Sequence, residues 1–112
     1  MALDAIRCAL EIQRAVRSEA ALDGVRLSVG VGIATGDVLV GSVGSSDRMD
    51  YTAIGPAVNL GSRLCAAAEA GQILLCADTV SRIGALVAAR PLPPMPLKGL
   101  GEVTVYEMRS EF

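Results

Sequence analysis

The stretch Tyr51-Thr52-Ala53-Ile54-Gly55-Pro56-Ala57-Val58-Asn59-Leu60-Gly61-Ser62-Arg63 decides how this chain is read. Its first residues suit an extended strand, Gly55 breaks it, and Pro56 is placed for the first turn of a helix, where an N–H would have no partner anyway. The spacing predicts a helix from Pro56 to about Ala70, stopped by Gly71 as a left-handed terminator. Leu60, Leu64 and Ala67 fall on a face suited to burial. Asn59 and Arg63 stand four residues apart on another face, within the first two turns. A neutral amide and a permanent cation are thus presented together near a helix amino terminus, where unpaired N–H groups and the dipole already favour anions. That arrangement suits a phosphate or a sugar; the plainer alternative is a surface Asn beside an Arg paired with a carboxylate.

Working outward, Arg26 to Ala34 alternates in character, with Leu27, Val29, Val31 and Ile33 on one side and Ser28, Gly30, Gly32 and Ala34 on the other. Thr35-Gly36-Asp37 supplies turn residues and Val38 to Val43 reads as a second strand, which predicts a hairpin between these two. The face of Ser, Gly and Ala is explained by a helix packed close against it, or by a ligand or another backbone lying there. Gly44-Ser45-Ser46-Asp47 reads as a polar loop and Met49 to Ile54 as a short extended stretch. Residues 3–19 are expected to be a helix with a stripe of Ala5, Cys8, Ala9, Ile12 and Val16, widened by Leu3, Ile6 and Leu10. After Gly71 come a short strand at Ile73 to Leu75, a short helix from Asp78-Thr79 to about Gly84, and a strand at Leu86 to Arg90. The proline-rich run Pro91 to Pro96 is confined to an edge or a loop, and Val103 to Met108 closes the chain as a strand. This is an α+β layout with helices packed on a sheet.

At 112 residues the chain is one small domain. Hydrophobic residues make up 52% of it and aromatics only 3%, so the core is built from Val, Leu, Ile and Ala. Ten basic against twelve acidic residues leave a net charge of −2, which gives no support to nucleic-acid binding. The apolar runs are short and interrupted, so no membrane segment is expected, and the amino terminus has no signal-peptide pattern. Cys8, Cys65 and Cys76 are odd in number and lack CxxC spacing, which suggests reduced core thiols in a cytoplasmic protein. The chain has no His, which excludes His-based metal sites and Ser–His catalysis.

Three blocks carry a family resemblance: TGDVLVGSVGS at 35–45, YTAIGPAVNLGSRL at 51–64 and LKGLGEVTVYEM at 97–108. In this order and separation they resemble the later part of the class III adenylate and guanylate cyclase catalytic domain. The resemblance implies a ferredoxin-like cyclase fold, truncated, with an antiparallel-rich sheet and helices packed on it; residues 1–112 would be a partial catalytic domain. It implies that Asn59 and Arg63 contact the ribose and phosphates and stabilise the transition state of cyclisation. Asn59 would orient the ribose for in-line attack, and Arg63 would meet the charge that builds on the phosphate oxygens. Lys98 matches the lysine that grips the terminal phosphates, although alone it reads as a solvated loop lysine. Thr52 matches the base-reading position, where familiar adenylate cyclases carry Asp and similar bacterial ones carry Thr; alone it is a strand residue. Ile54 occupies a neighbouring, often bulky position.

The family also binds two divalent ions, Mg2+ or Mn2+, through Asp residues in segments ahead of the helix that opens this chain. No segment here matches them, and neither Asp4 nor Asp37 lies in a matching motif, so no metal ligand is assigned. The expectation is therefore one half of a shared active site, as a truncated piece or a short natural remnant, inactive alone. The parent reaction would convert ATP, with GTP as the variant, to the cyclic nucleotide and pyrophosphate in intracellular signalling. Its partner would be a second cyclase domain in a head-to-tail homodimer. The competing readings are a non-catalytic cyclase-like regulatory or nucleotide-binding module and a generic α+β interaction domain.

Overall fold

Gln72 to Cys76 is buried at every position, a pattern that requires cover on both faces of the strand. The computed structural model supplies that cover; it describes residues 2–23, 29–45, 48–84 and 88–109. In chain order the elements are α1 (Ala2–Asp23), β1 (Val31–Ile33), β2 (Leu39–Ser45), β3 (Arg48–Ile54), α2 (Pro56–Ala67) and β4 (Gln72–Cys76). There follow α3 (Ala77–Ile83), β5 (Arg90–Pro91), β6 (Met95–Leu97), β7 (Gly101–Val103) and β8 (Val105–Arg109). The central sheet runs β1-β4-β8-β5, with β1 parallel to β4 and the other two pairs antiparallel. Two separate hairpins, β2–β3 and β6–β7, complete an antiparallel-rich α+β fold.

The alternation along β4 sorts its side chains into two cores. Ile73 and Leu75 pack with Ile6 and Ala9 of α1 and Ile83 of α3. Leu74 and Cys76 face the other way, against Leu64 of α2, Leu97 and Val105. Burying each such Leu or Ile contributes roughly 1.5–3 kcal/mol, so β4 is the element that holds both layers to the sheet. A third group spans the strands: Glu107, buried in β8, accepts hydrogen bonds from Gln72 Nε2 on β4 and Arg90 Nη2 on β5. Gln72 Oε1 in turn accepts from the Glu69 amide at 2.9 Å, tying the segment after α2 into the sheet.

The face of small residues on β1 is covered by α2. A Cβ built on Gly32 would lie 2.4 Å from the Cys65 nitrogen, and one on Gly30 would lie 2.7 Å from the Ala68 oxygen. Helix packing, rather than a ligand, accounts for those glycines.

Several expectations are corrected. The hairpin does not join the 26–34 and 38–43 stretches: β2 pairs with β3 from Leu39↔Ile54 to Ser45↔Arg48, and β1 instead pairs with β4. Gly44 and Ser45, expected in a loop, therefore lie in β2. Helix α2 ends at Ala67, before Gly71, because Ala68 turns extended; Gly71, at φ 78°, forms the turn into β4. The closing strand is interrupted at Thr104 and divides into β7 and β8. In α1 the buried stripe is rotated to Ile6, Ala9 and Gln13, leaving Ala5, Cys8 and Ile12 exposed. Gln13 is buried because its Nε2 donates to the Val29 carbonyl at 2.7 Å, satisfying a strand end that apolar patterning does not register. Of the three cysteines only Cys76 is in the core; Cys8 and Cys65 are exposed. Residues 26–28, 46–47 and 86–87 of the expected strands and loop lie outside the described residues.

Candidate functional site

Pro56 opens α2, and the Gly55 carbonyl accepts from the amides of Val58 at 3.1 Å and Asn59 at 3.4 Å. Gly55 is required by close approach: a Cβ there would meet the Asp37 carbonyl oxygen at 2.9 Å. The loop from Thr35 to Asp37 thus lies directly under the helix start, and a Cβ on Gly36 would touch the Ala57 side chain at 2.9 Å. Leu64 is fully buried and Leu60 half-buried, which anchors one face of α2; Ala67 is exposed, so burial stops a turn earlier than its spacing implied.

Asn59 and Arg63 are both exposed, off the buried face of the helix that carries Leu64. Among the described residues Arg63 forms no ion pair, so the plainer alternative of a carboxylate-bound arginine is not what the structure holds. Lys98 is exposed in the tip of the β6–β7 hairpin. Its position is set by a tight turn: the Leu100 amide donates to the Leu97 carbonyl at 2.9 Å, and Gly99 takes φ 80°. A positive φ at the third position marks a type II turn, which demands glycine there. Leu97 is buried beneath the turn, while Leu100 reaches the wall of a cleft of about 470 Å³ that it shares with Pro56, Ala57 and Leu60. The Lys98 turn and the amino-terminal half of α2 are therefore walls of one cleft, whose floor includes Thr35 and Asp37.

Thr52 lies on β3, opposite Gly41 of β2, one short step along the chain from the helix start. None of the four predicted residues lines this cleft itself, and none lines a larger cavity of about 690 Å³ between the start of α1 and the end of α3. Sequence reasoning missed Leu100 and a buried cluster of Thr35, Cys76 and Thr79. The only sequence signal for that cluster was the turn composition around Thr35.

No group of three or more His, Cys, Asp or Glu side chains that could hold a metal ion is assembled among the described residues. Asp37 and Asp78 both border the cleft, yet two exposed carboxylates are not a divalent-cation cage. These residues do not fit the divalent ions that the fold implies. What the arrangement does offer is a cation and an amide exposed on α2 and a second cation exposed on the β6–β7 turn. Such a surface is matched to a polyanion carrying a sugar.

An antiparallel-rich sheet covered by helices on both faces is the architecture of a nucleotide cyclase catalytic domain. The family description for the adenylate and guanylate cyclase catalytic domain matches residues 1–110, and the chain belongs to that family. It is 35% identical over 117 residues to the terminal-differentiation-specific adenylate cyclase of Dictyostelium discoideum, covering 96% of this chain and 5% of that protein. Among solved structures, the adenylyl cyclase CyaB from P. aeruginosa superposes with a TM-score of 0.81 at 30% identity, covering 99% of this chain and 60% of that one. The guanylate cyclase domain of RhGC from Catenaria anguillulae, in complex with GTP, gives a TM-score of 0.60 at 27% identity, covering 66% of this chain and 41% of that one. The chain thus spans a small fraction of the Dictyostelium protein and about three-fifths of CyaB.

Proposed function

We propose that this chain supplies the ribose- and phosphate-contacting half of an adenylate cyclase active site and makes no cyclic nucleotide by itself. The observation that carries the reading is the shared exposure of Asn59 and Arg63 on α2, together with an exposed Lys98 on a turn whose Leu100 lines a cleft with Pro56, Ala57 and Leu60 of that helix. In the reaction the ribose 3′-oxygen attacks the α-phosphate and pyrophosphate leaves. Arg63 meets negative charge developing on the α-phosphate oxygens, Asn59 holds the ribose so that attack is in line, and Lys98 binds the terminal phosphates. Thr52, able both to donate and to accept one hydrogen bond, reads the base edge. ATP is the assigned substrate and GTP the variant, since both adenylyl and guanylate cyclases stand among the similar structures.

The metal-bearing half of the site is contributed by a second cyclase domain in a head-to-tail pair. Four large apolar residues exposed around the hairpin base and the start of α2 (Val38, Leu39, Ile54 and Val58) support such a contact. No described helix is long and apolar enough to cross a membrane, which is compatible with the cytoplasmic location that the reduced thiols suggest. A second reading, a nucleotide-binding module without turnover, is favoured by the missing cation donors among the described residues.

The deciding experiment is complementation. The chain is mixed with a cyclase catalytic domain that keeps its metal-binding carboxylates but carries Ala in place of its own Asn and Arg. Cyclic AMP is expected from the mixture with ATP and Mn2+, and from neither component alone. Sustained product from this chain alone overturns the claim of inactivity. Nucleotide binding without product in the mixture establishes the module reading instead.

A further inference from the structure

Thr35, Cys76 and Thr79 come from three different segments and meet in the interior. The Thr35 amide donates to Cys76 Sγ at 3.4 Å. Thr35 Oγ1 and Thr79 Oγ1 are 2.8 Å apart, and Cys76 Sγ lies 3.2 Å from Thr79 Oγ1. Thr79 is fully buried and Cys76 nearly so, whereas a threonine in the first turn of a helix is ordinarily a surface residue. Buried hydroxyls demand partners, and here each closes on the others.

This cluster bears on the site because of what its loop touches. Thr35 leads directly into Gly36 and Asp37, the two residues wedged under the start of α2. On one side the loop is bonded to the β4–α3 junction through sulfur and hydroxyl. On the other side, Gly36 abuts Ala57 and the Asp37 carbonyl abuts Gly55, the residue whose own carbonyl receives the Val58 and Asn59 amides. A rigid path therefore runs from Thr79 through the loop to the turn that carries Asn59.

We propose that Thr35, Cys76 and Thr79 form a hydroxyl–thiol latch that fixes the 35–37 loop beneath α2 and sets the height at which Asn59 is presented. Thr35 and Thr79 are positioning residues; they touch no nucleotide. The structural part of the proposal stands by itself, and its kinetic consequence rests on the function proposed above.

The test uses the chain itself, read by hydrogen exchange, and then the complementation assay. Thr79→Val keeps the shape and removes the hydroxyl; Thr79→Ser restores the hydroxyl with one methyl fewer. With Thr79→Val, exchange at the Val58 and Asn59 amides is expected to accelerate about tenfold while amides of the β4–β8 ladder stay within about twofold. Thr79→Ser is expected to return Val58 and Asn59 to within about threefold of the unsubstituted chain. Thr35→Val, at a half-buried position, gives the same pattern if Thr79→Val does not fold. In the assay Thr79→Val is expected to lower kcat about tenfold with KM within about twofold. Acceleration spread evenly over the ladder, or none at Val58 and Asn59, overturns the latch. A normal exchange pattern of the predicted kind with no product from the unsubstituted mixture leaves the latch standing and sinks the cyclase reading instead.

Discussion

At the scale of single residues, the cyclase reading distributes three tasks among Asn59, Arg63 and Lys98, and those tasks have different kinetic signatures. In the proposed reaction Arg63 acts on charge that exists mainly in the transition state, so Arg63→Ala is expected to lower kcat by about 10²- to 10³-fold in the complementation assay, with KM little changed. Asn59→Ala should fall in the same class, because misorienting the ribose removes in-line geometry that ground-state binding does not need. In the proposed site Lys98 would touch phosphates present before and after the chemical step, so Lys98→Ala should raise KM by about tenfold and spare kcat. Initial rates across a range of ATP concentrations separate the two patterns. Equal losses in kcat and affinity for Arg63→Ala would reduce that residue to a binding contact. The proposal of these roles rests on the family motifs, since helical spacing puts Asn59 and Arg63 on one face without saying what they meet. The place of Lys98 depended on a turn: Gly99 at φ 80° and buried Leu97 fix a loop lysine whose surroundings no local pattern reveals.

At the scale of elements, the packing of α2 on β1 makes a sharp contrast between two glycines. Gly32→Ala places a methyl 2.4 Å from the Cys65 nitrogen, a backbone atom that cannot rotate away, so α2 must lift off the sheet. The expected cost is about 3 kcal/mol, at the upper end for overpacking. Gly61→Ala adds a methyl 3.7 Å from Ala34 Cβ, an ordinary contact, inside a helix. It is expected to stabilise by roughly 0.5–1 kcal/mol through propensity. Urea unfolding of the two variants checks both signs at once; a neutral Gly32→Ala would mean the helix does not rest on β1. The glycine alternation was visible in the sequence and left a close helix or a ligand as its explanation; the contacts of Gly30 and Gly32 with α2 select the helix. The partner of β1 was not, because a parallel pairing between residues 31–33 and 73–75 has no turn between them to announce it. The hairpin was therefore assigned to the nearest strand in sequence. Stripe rotation in α1 has a similar cause: Gln13 is buried for its hydrogen bond to Val29, and a purely apolar count places the stripe on Cys8 and Ile12 instead.

At the scale of the whole molecule, two layers of helix close on one sheet, yet a cluster of large apolar side chains is left in solvent. Leu39 is 72% exposed and Ile54 57% exposed, and these two are direct partners across the β2–β3 ladder. Val38 and Val58 extend the same patch around Gly55, at 46% and 40% exposure. Isolated surface leucines are ordinary; the proposed pair accounts for several exposed together near the candidate site. In a head-to-tail pair it would be covered by the domain that completes the active site, so association and activity should fail together. Leu39→Lys puts a charge at the centre of the patch without touching either core, and its melting temperature is expected to stay within a few degrees of the unsubstituted chain. Sedimentation velocity should show the unsubstituted chain associating with itself or with the complementing domain at micromolar concentration, and Leu39→Lys remaining monomeric. In the complementation assay the same variant should lose product at low protein concentration and recover part of it at high concentration. A catalytic defect would not have that dependence. A clean monomer at high concentration for the unsubstituted chain, together with full product formation by Leu39→Lys, would place the shared site on a different surface from the one bounded by Val38, Leu39, Ile54 and Val58.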